Sequence, residues 1–209
     1  MKINVILQAR HNSKRLPGKM ILKFKNLKII EYLIKNLKKI DTINKICLAV
    51  PDDKFSEIFY EIAKKNRIKF YVAKNIKEND LLSRFYHCAK KNKFKDIMRI
   101  TPDCPFINIH MIDFMIKNFQ KKKLFYLTNN KPKRFVPHGF DCEIFRFSLL
   151  EKAFQKAKTS HDQSKNSAFA RHLRKEPGVD KDLAVADRRK KGIKLAKNRA
   201  IRRLRGEIK

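Results

Sequence analysis

Two rhythms alternate along the first 158 residues: short, mostly apolar runs and longer stretches with apolar residues at helical spacing. Ile3 to Leu7, Lys45 to Val50, Ile68 to Val72, Ile97 to Ile100 and Leu124 to Thr128 are the short runs, and they predict buried strands. Asp141 to Phe147 predicts one more strand. Between them, Leu27 to Ile40 carries Ile30, Leu33, Ile34, Leu37 and Ile40 on one helical face. Phe55 to Asn66 does the same with Ile58, Phe59 and Ile62. Leu81 to Asn92, with Asn79 or Asp80 as its cap, Ile109 to Phe119 and Leu149 to Ala157 complete the predicted helices. Strands alternating with helices imply an α/β domain, with a mostly parallel sheet covered by helices on both faces. In such a sheet, ligands bind where the strands end at their carboxyl side.

The pattern breaks near Thr159. Fifteen of the sixteen Phe precede that point, and only Phe169 follows it. The last 51 residues carry 16 basic against 6 acidic side chains. Arg188 to Arg205 predicts a basic helix with Ile193, Ala196, Ala200, Ile201 and Leu204 along one side. Residues 159–209 therefore read as a basic tail, disordered or helical, with too little apolar surface to fold alone. Residues 1–158 read as the folded domain.

Composition adds three constraints. The formal net charge of +32 predicts attraction to polyanions, nucleotides and nucleic acid among them. Lys, Ile, Asn and Phe are all abundant, so much of that charge is an ordinary solvated lysine surface. No run approaches the roughly 18 to 20 apolar residues that span a bilayer. The opening Met1 to Val5 reads as a strand rather than a signal peptide, because Gln8 and Arg10 interrupt it, and the cytosol is the expected location. Cys47, Cys88, Cys104 and Cys142 fit no metal-binding spacing and are expected reduced, with Cys47 and Cys88 as small core residues.

Candidate chemistry falls on the loops that follow apolar runs. After Leu7 comes Gln8-Ala9-Arg10-His11-Asn12-Ser13-Lys14-Arg15-Leu16-Pro17-Gly18-Lys19. Arg10, Arg15 and Lys19 are closely spaced cations, and Pro17-Gly18 makes a turn whose backbone amides can approach a phosphate. A plain basic loop would look much the same. After Ile100 comes Thr101-Pro102-Asp103-Cys104-Pro105. A rigidly held carboxylate at a strand end suits Mg²⁺ with phosphate oxygens, and it suits a turn or helix cap equally. Asp80 and Arg84 stand four apart, so an ion pair along the helix competes with a ligand role. Asp141 and Glu143 alternate along a predicted strand and so would share one face.

The first loop resembles the N-terminal signature of the sugar-activating cytidylyltransferases. These comprise the 3-deoxy-manno-octulosonate and acylneuraminate enzymes and their relatives in spore-coat polysaccharide biosynthesis. Gln8-Ala9-Arg10, Ser13 and Arg15-Leu16-Pro17-Gly18-Lys19 fill every fixed position of that signature. Asp103 matches the family's Asp-x-Pro element, and Asp80 to Phe85 resembles its Asp-Val-Leu-x-Arg-Tyr element. Gly139 to Glu143 resembles its Gly-x-Asp-x-Glu strand. The resemblance implies a Rossmann-like nucleotide-diphospho-sugar transferase fold. It implies transfer of CMP from CTP to a sugar acid for polysaccharide or glycan biosynthesis, with Mg²⁺ on Asp103. Gln8, Ala9, Arg10, Ser13, Arg15, Gly18, Lys19 and Arg84 would bind the nucleotide, Arg10 and Lys19 being catalytic. Asn129, Asp141 and Glu143 would face the sugar. A homodimer is left open.

On these motifs the resemblance runs over residues 2–158. The family's Glu-His-Val-Thr and Arg-x-Thr-x-Asp elements find no counterpart after Lys158, so the domain reads as C-terminally incomplete. Two other expectations therefore stand beside the enzyme: a non-enzymatic nucleic-acid binder acting through the basic tail, and an inactive truncated relative.

Overall fold

A computed structural model of the chain describes residues 2–13, 16–105, 107–130, 136, 137 and 139–159. The basic tail with its expected helix, and Arg15 of the first loop, lie outside the described residues.

The strands are β1 (Ile3–Gln8), β2 (Lys23–Phe24), β3 (Leu27–Lys28), β4 (Ile43–Pro51), β5 (Lys69–Ala73), β6 (Asp96–Ile100), β7 (Tyr126–Thr128) and β8 (Cys142–Arg146). The helices are α1 (Ile29–Leu37), α2 (Ser56–Lys65), α3 (Leu81–Lys91), α4 (Ile109–Lys121) and α5 (Phe147–Thr159). Six strands form one sheet in the order β5-β4-β1-β6-β8-β7. β5, β4, β1 and β6 run parallel, whereas β8 is antiparallel to both β6 and β7.

β1 lies at the centre, and its pleat divides the core. Ile3, Val5 and Leu7 point into one apolar cluster, which α1, α2 and α4 cover through Ile30, Phe59 and Ile112. Ile6 points into the other cluster, where α3 and α5 contribute Phe85, Leu150 and Phe154. A strand buried on both faces is apolar on both, which is why Ile3 to Leu7, Asn4 apart, carries no helical or alternating signature. The expected Rossmann-like arrangement, with helices on both faces, is therefore the observed one.

Three elements differ from the sequence expectation. The helix expected from Leu27 starts at Ile29, because Leu27 pairs with Phe24 in a two-stranded hairpin turned at Lys25 (φ 52°). Glu31 then accepts a hydrogen bond from the Lys28 amide at 3.0 Å and anchors the helix start. The segment after β7 does not extend a parallel sheet but returns between β6 and β7. Helix α5 begins at Phe147, two residues earlier than its apolar spacing suggested. Of the two caps expected for α3, Asp80 is used: its Oδ1 accepts from the Ser83 amide at 3.1 Å and its Oδ2 from the Ser83 hydroxyl at 2.8 Å. All four cysteines are free and buried, and the sulfurs of Cys47 and Cys88 stand 3.5 Å apart across β4 and α3.

Candidate active site

The carboxyl ends of β1, β4, β5 and β6 bring four loops to one end of the sheet. Because β8 runs the other way, its first residue arrives at this end too, as does the last residue of β7. The topology thus gathers the 8–19 loop, Asp53, Glu78, Asp80, Asp103, Asn129 and Asp141 in one region.

The first loop is folded on itself. The His11 carbonyl accepts from the Gly18 amide and the Ser13 amide, both at 2.9 Å. The His11 ring stacks on Phe55 with centroids 3.6 Å apart. Gly18 has φ +68°, a left-handed conformation that glycine adopts without strain, and a Cβ there would stand 3.1 Å from His11 Nε2. Lys19 then opens a single 3-10 turn, Lys19–Ile21. Gln8 ends β1, and the buried Ala9 donates from its amide to the Ala49 carbonyl at 3.1 Å. That bond extends the β1–β4 ladder by one residue and fixes where Arg10 leaves the sheet.

Lys19 Nζ is hydrogen-bonded and ion-paired to Asp103 Oδ2. The turn holding Asp103 is closed by the Cys104 amide donating to the Thr101 carbonyl at 3.1 Å. Helix α4 is capped by Asn108, whose Oδ1 accepts from the Met111 amide at 3.0 Å. Among the described residues, the Asp103 carboxylate accepts no backbone amide, so it serves neither that turn nor that helix as a cap. Ile100 pairs with Cys142, which sets Asp141 one step beyond, beside Thr101. Burial raises the Cys104 thiol pKa, the Thr101 hydrogen bond opposes the rise, and the charges of Asp103 and Asp141 add to it. The rise favours the protonated thiol. Asp103 supplies a hard oxygen donor, but no group of three or more His, Cys, Asp or Glu able to hold a metal exists among the described residues. The donors fit a cation held chiefly by substrate phosphates, not a preformed protein cage.

A second cluster forms around Glu78. Arg10 Nη1 stands 3.8 Å from Glu78 Oε1, Asn12 donates to Oε2 at 3.4 Å, and Arg84 Nη2 donates to the Glu78 carbonyl at 2.6 Å. Arg84 has 0% of its surface exposed. Desolvation lowers its pKa, and nearby Arg10 lowers it further, while Glu78, Asp80 and Asp53 oppose the shift. Its Nε and Nη1, together with Glu78 Oε1, Asp53 Oδ2 and His11 Nδ1, are buried without hydrogen-bond partners among the described residues. Orphaned buried polar atoms are rare in folded proteins, and each demands a reason. Here they converge on three neighbouring loops.

Two of the expected sugar-facing residues stand in protein networks. Glu143 is buried in β8, opposite Arg99 in β6. Arg99 Nη1 donates to its Oε2 at 2.6 Å, and the Tyr126 hydroxyl donates to its Oε1 at 2.9 Å. Asp141 lies one residue before β8 begins at Cys142. Asn129 bridges β7 and β8, donating to the Phe140 carbonyl at 2.7 Å and accepting from the Cys142 amide at 2.9 Å. Sequence reasoning passed over His11, Phe55 and Glu78. His11 lies at a variable position of the signature, and the others act only through contacts between loops.

A mostly parallel sheet with basic and acidic loops converging at its carboxyl end defines a Rossmann-like α/β fold. The family model described as cytidylyltransferase matches residues 4–202, and the chain belongs to that family. The match continues past the composition break at Thr159. An uncharacterized protein of Methanocaldococcus jannaschii is 32% identical over 163 residues, 78% of this chain and 64% of its own length. A 3-deoxy-manno-octulosonate cytidylyltransferase of Fusobacterium nucleatum is 28% identical over 134 residues, 64% of this chain and 52% of its own. The spore coat polysaccharide biosynthesis protein SpsF of Bacillus subtilis is 26% identical over 151 residues, 69% of this chain and 59% of its own. The solved structure of a cytidylyltransferase from Leptospira borgpetersenii serovar Hardjo-bovis is 33% identical, with a TM-score of 0.69 over 74% of this chain and 64% of that one. The chain thus spans less than two thirds of the length of these curated relatives. No described helix is long and apolar enough to cross a membrane.

Proposed function

We propose that the chain activates a sugar acid with CTP, giving a CMP-sugar and pyrophosphate for polysaccharide or glycan biosynthesis. The observation that carries this reading is the meeting of Lys19 from the first loop with Asp103 from the β6–α4 loop, across adjacent parallel strands. A flexible ammonium and a hard carboxylate, side by side at a strand end, suit a triphosphate and its metal ion. The relatives that carry names act in sugar activation and polysaccharide synthesis, which suggests the acceptor class.

In the proposed reaction, a sugar hydroxyl oxygen attacks the α-phosphorus of CTP. The bond from that phosphorus to the bridging oxygen breaks, pyrophosphate leaves with the electron pair, and the hydroxyl proton passes to solvent. The protein's part is positioning and charge neutralisation. Arg10 and Lys19 hold the phosphates, Gly18 lets the loop backbone approach them, and Asp103 would hold Mg²⁺. Bound there, Mg²⁺ would neutralise charge on the phosphate oxygens and the leaving pyrophosphate. The test is pyrophosphate release over a panel of nucleotides and sugar acids. Release with CTP and one sugar acid is the expected result. Release with no pair in the panel would leave the inactive-relative reading standing.

The orphaned donors of Arg84 support its place on the nucleotide side. Removing the cation alone takes the donor from the Glu78 carbonyl and the counter-charge from Glu78 and Asp80, so it costs stability. Arg84→Met is therefore expected to lower the melting temperature and to weaken CTP binding about tenfold, as loss of a charged hydrogen-bond donor does. Calorimetric titration of both proteins checks this. Unchanged CTP affinity would make Arg84 a structural residue.

A further inference from the structure

Both of the loop cations assigned to the triphosphate rest on carboxylates borrowed from other loops. Arg10 stands by Glu78, whereas Lys19 is paired with Asp103, the carboxylate proposed above for the metal. The two members of that pair are wanted by opposite charges: the ammonium by phosphate, the carboxylate by a cation. Resting on the function proposed above, we propose that the Lys19–Asp103 pair is a latch that makes metal binding and triphosphate binding conditional on one another.

The argument follows the charges. A divalent cation arriving alone meets a carboxylate whose charge is already neutralised, and binding it would leave the Lys19 ammonium, only 24% exposed, without its counter-ion. A triphosphate arriving alone can draw Lys19 away only by leaving the Asp103 carboxylate bare beside a polyanion. The metal–triphosphate complex replaces both partners in one step, an anion for Lys19 and a cation for Asp103. Each ligand then raises the affinity for the other, and the effect is reciprocal. Both side chains are partly exposed, 24% and 36%, so solvent screens the pair and the latch changes metal affinity by about fivefold at most.

The effect can be read without nucleotide or turnover, by titrating the full chain with Mn²⁺ and following the free-ion electron paramagnetic resonance signal. Lys19→Ala is expected to bind Mn²⁺ about fivefold more tightly than the wild type, because Asp103 is released. Arg10→Ala is expected to match the wild type, since its resting partner is Glu78. The double variant Lys19→Ala/Asp103→Asn is expected to lose the gain. Equal affinity in Lys19→Ala and the wild type would overturn the latch, as would no Mn²⁺ binding to any of the proteins. An equal gain in Arg10→Ala would overturn it too, by showing that only the overall positive field matters. The parent reading fails separately, if the wild type releases no pyrophosphate while Mn²⁺ still responds to Lys19.

Discussion

Asp103→Asn is expected to lower Mg²⁺-dependent pyrophosphate release by about 10³-fold while leaving the fold intact. Asparagine keeps the shape and one hydrogen-bonding oxygen, but it lacks the charge that a hard cation requires. The structural side of this expectation comes from what Asp103 does not do. Its carboxylate closes neither the Thr101–Cys104 turn, which uses backbone groups, nor the start of α4, which uses Asn108. Its ion pair with Lys19 is exposed enough that losing it costs at most about 1 kcal/mol. The melting temperature should therefore move by a few degrees at most, measured by circular dichroism beside the rate. Normal metal-dependent turnover in a folded variant would take Asp103 out of the site. A large loss of stability would mean that the turn depends on it.

How much of this was legible in the chain depended on whether a residue's role is local. Ile3 to Leu7 announces a central strand because both faces are buried, so every position except Asn4 is apolar. Helix α4 was readable for the opposite reason, since only one side carries Ile112, Met115, Ile116 and Phe119 into the core. The β2–β3 hairpin was hidden: each strand has two residues, and Leu27 also fits the helical period that follows. Nothing in a strand's own residues states its direction, so the antiparallel insertion of β8 left no trace in the pattern. The 141–143 segment shows the consequence. Alternation offered Asp141 and Glu143 together to a ligand, whereas Glu143 is consumed by Arg99, a residue of a different strand.

The candidate site divides along the same line. Lys19 and Asp103 were legible because each sits on a loop directly after a buried strand, and the topology of a parallel sheet brings such loops together. Glu78, His11 and Phe55 were not. Glu78 matters because it meets Arg10, Asn12 and Arg84 from two other segments. The His11–Phe55 stack joins the first loop to the β4–α2 loop. Such meetings are properties of the folded arrangement, with no spacing to reveal them.

Lys19→Ala is expected to lower kcat about 10²-fold, as removal of a single charge contact made in the transition state does. The expectation rests on where the lysine begins and where it can go. Gly18 in its left-handed conformation sets the backbone at Lys19, and the side chain keeps about a quarter of its surface exposed, free to follow a phosphate. In the proposed reaction, Arg10, the loop amides and Mg²⁺ would share the triphosphate charge in the ground state, so loss of one ammonium is expected to raise KM only modestly. As the bond to pyrophosphate breaks, negative charge moves onto the leaving oxygens, and one fewer cation is felt most there. Lys19→Arg is expected to recover part of the rate. It restores the charge, but the planar guanidinium cannot pack as a compact ammonium does beside Asp103. Steady-state kinetics on the three proteins at saturating Mg²⁺ separates the terms. A rise in KM with kcat unchanged in Lys19→Ala would assign the lysine to nucleotide binding alone, and unchanged kinetics would remove the first loop from the chemistry.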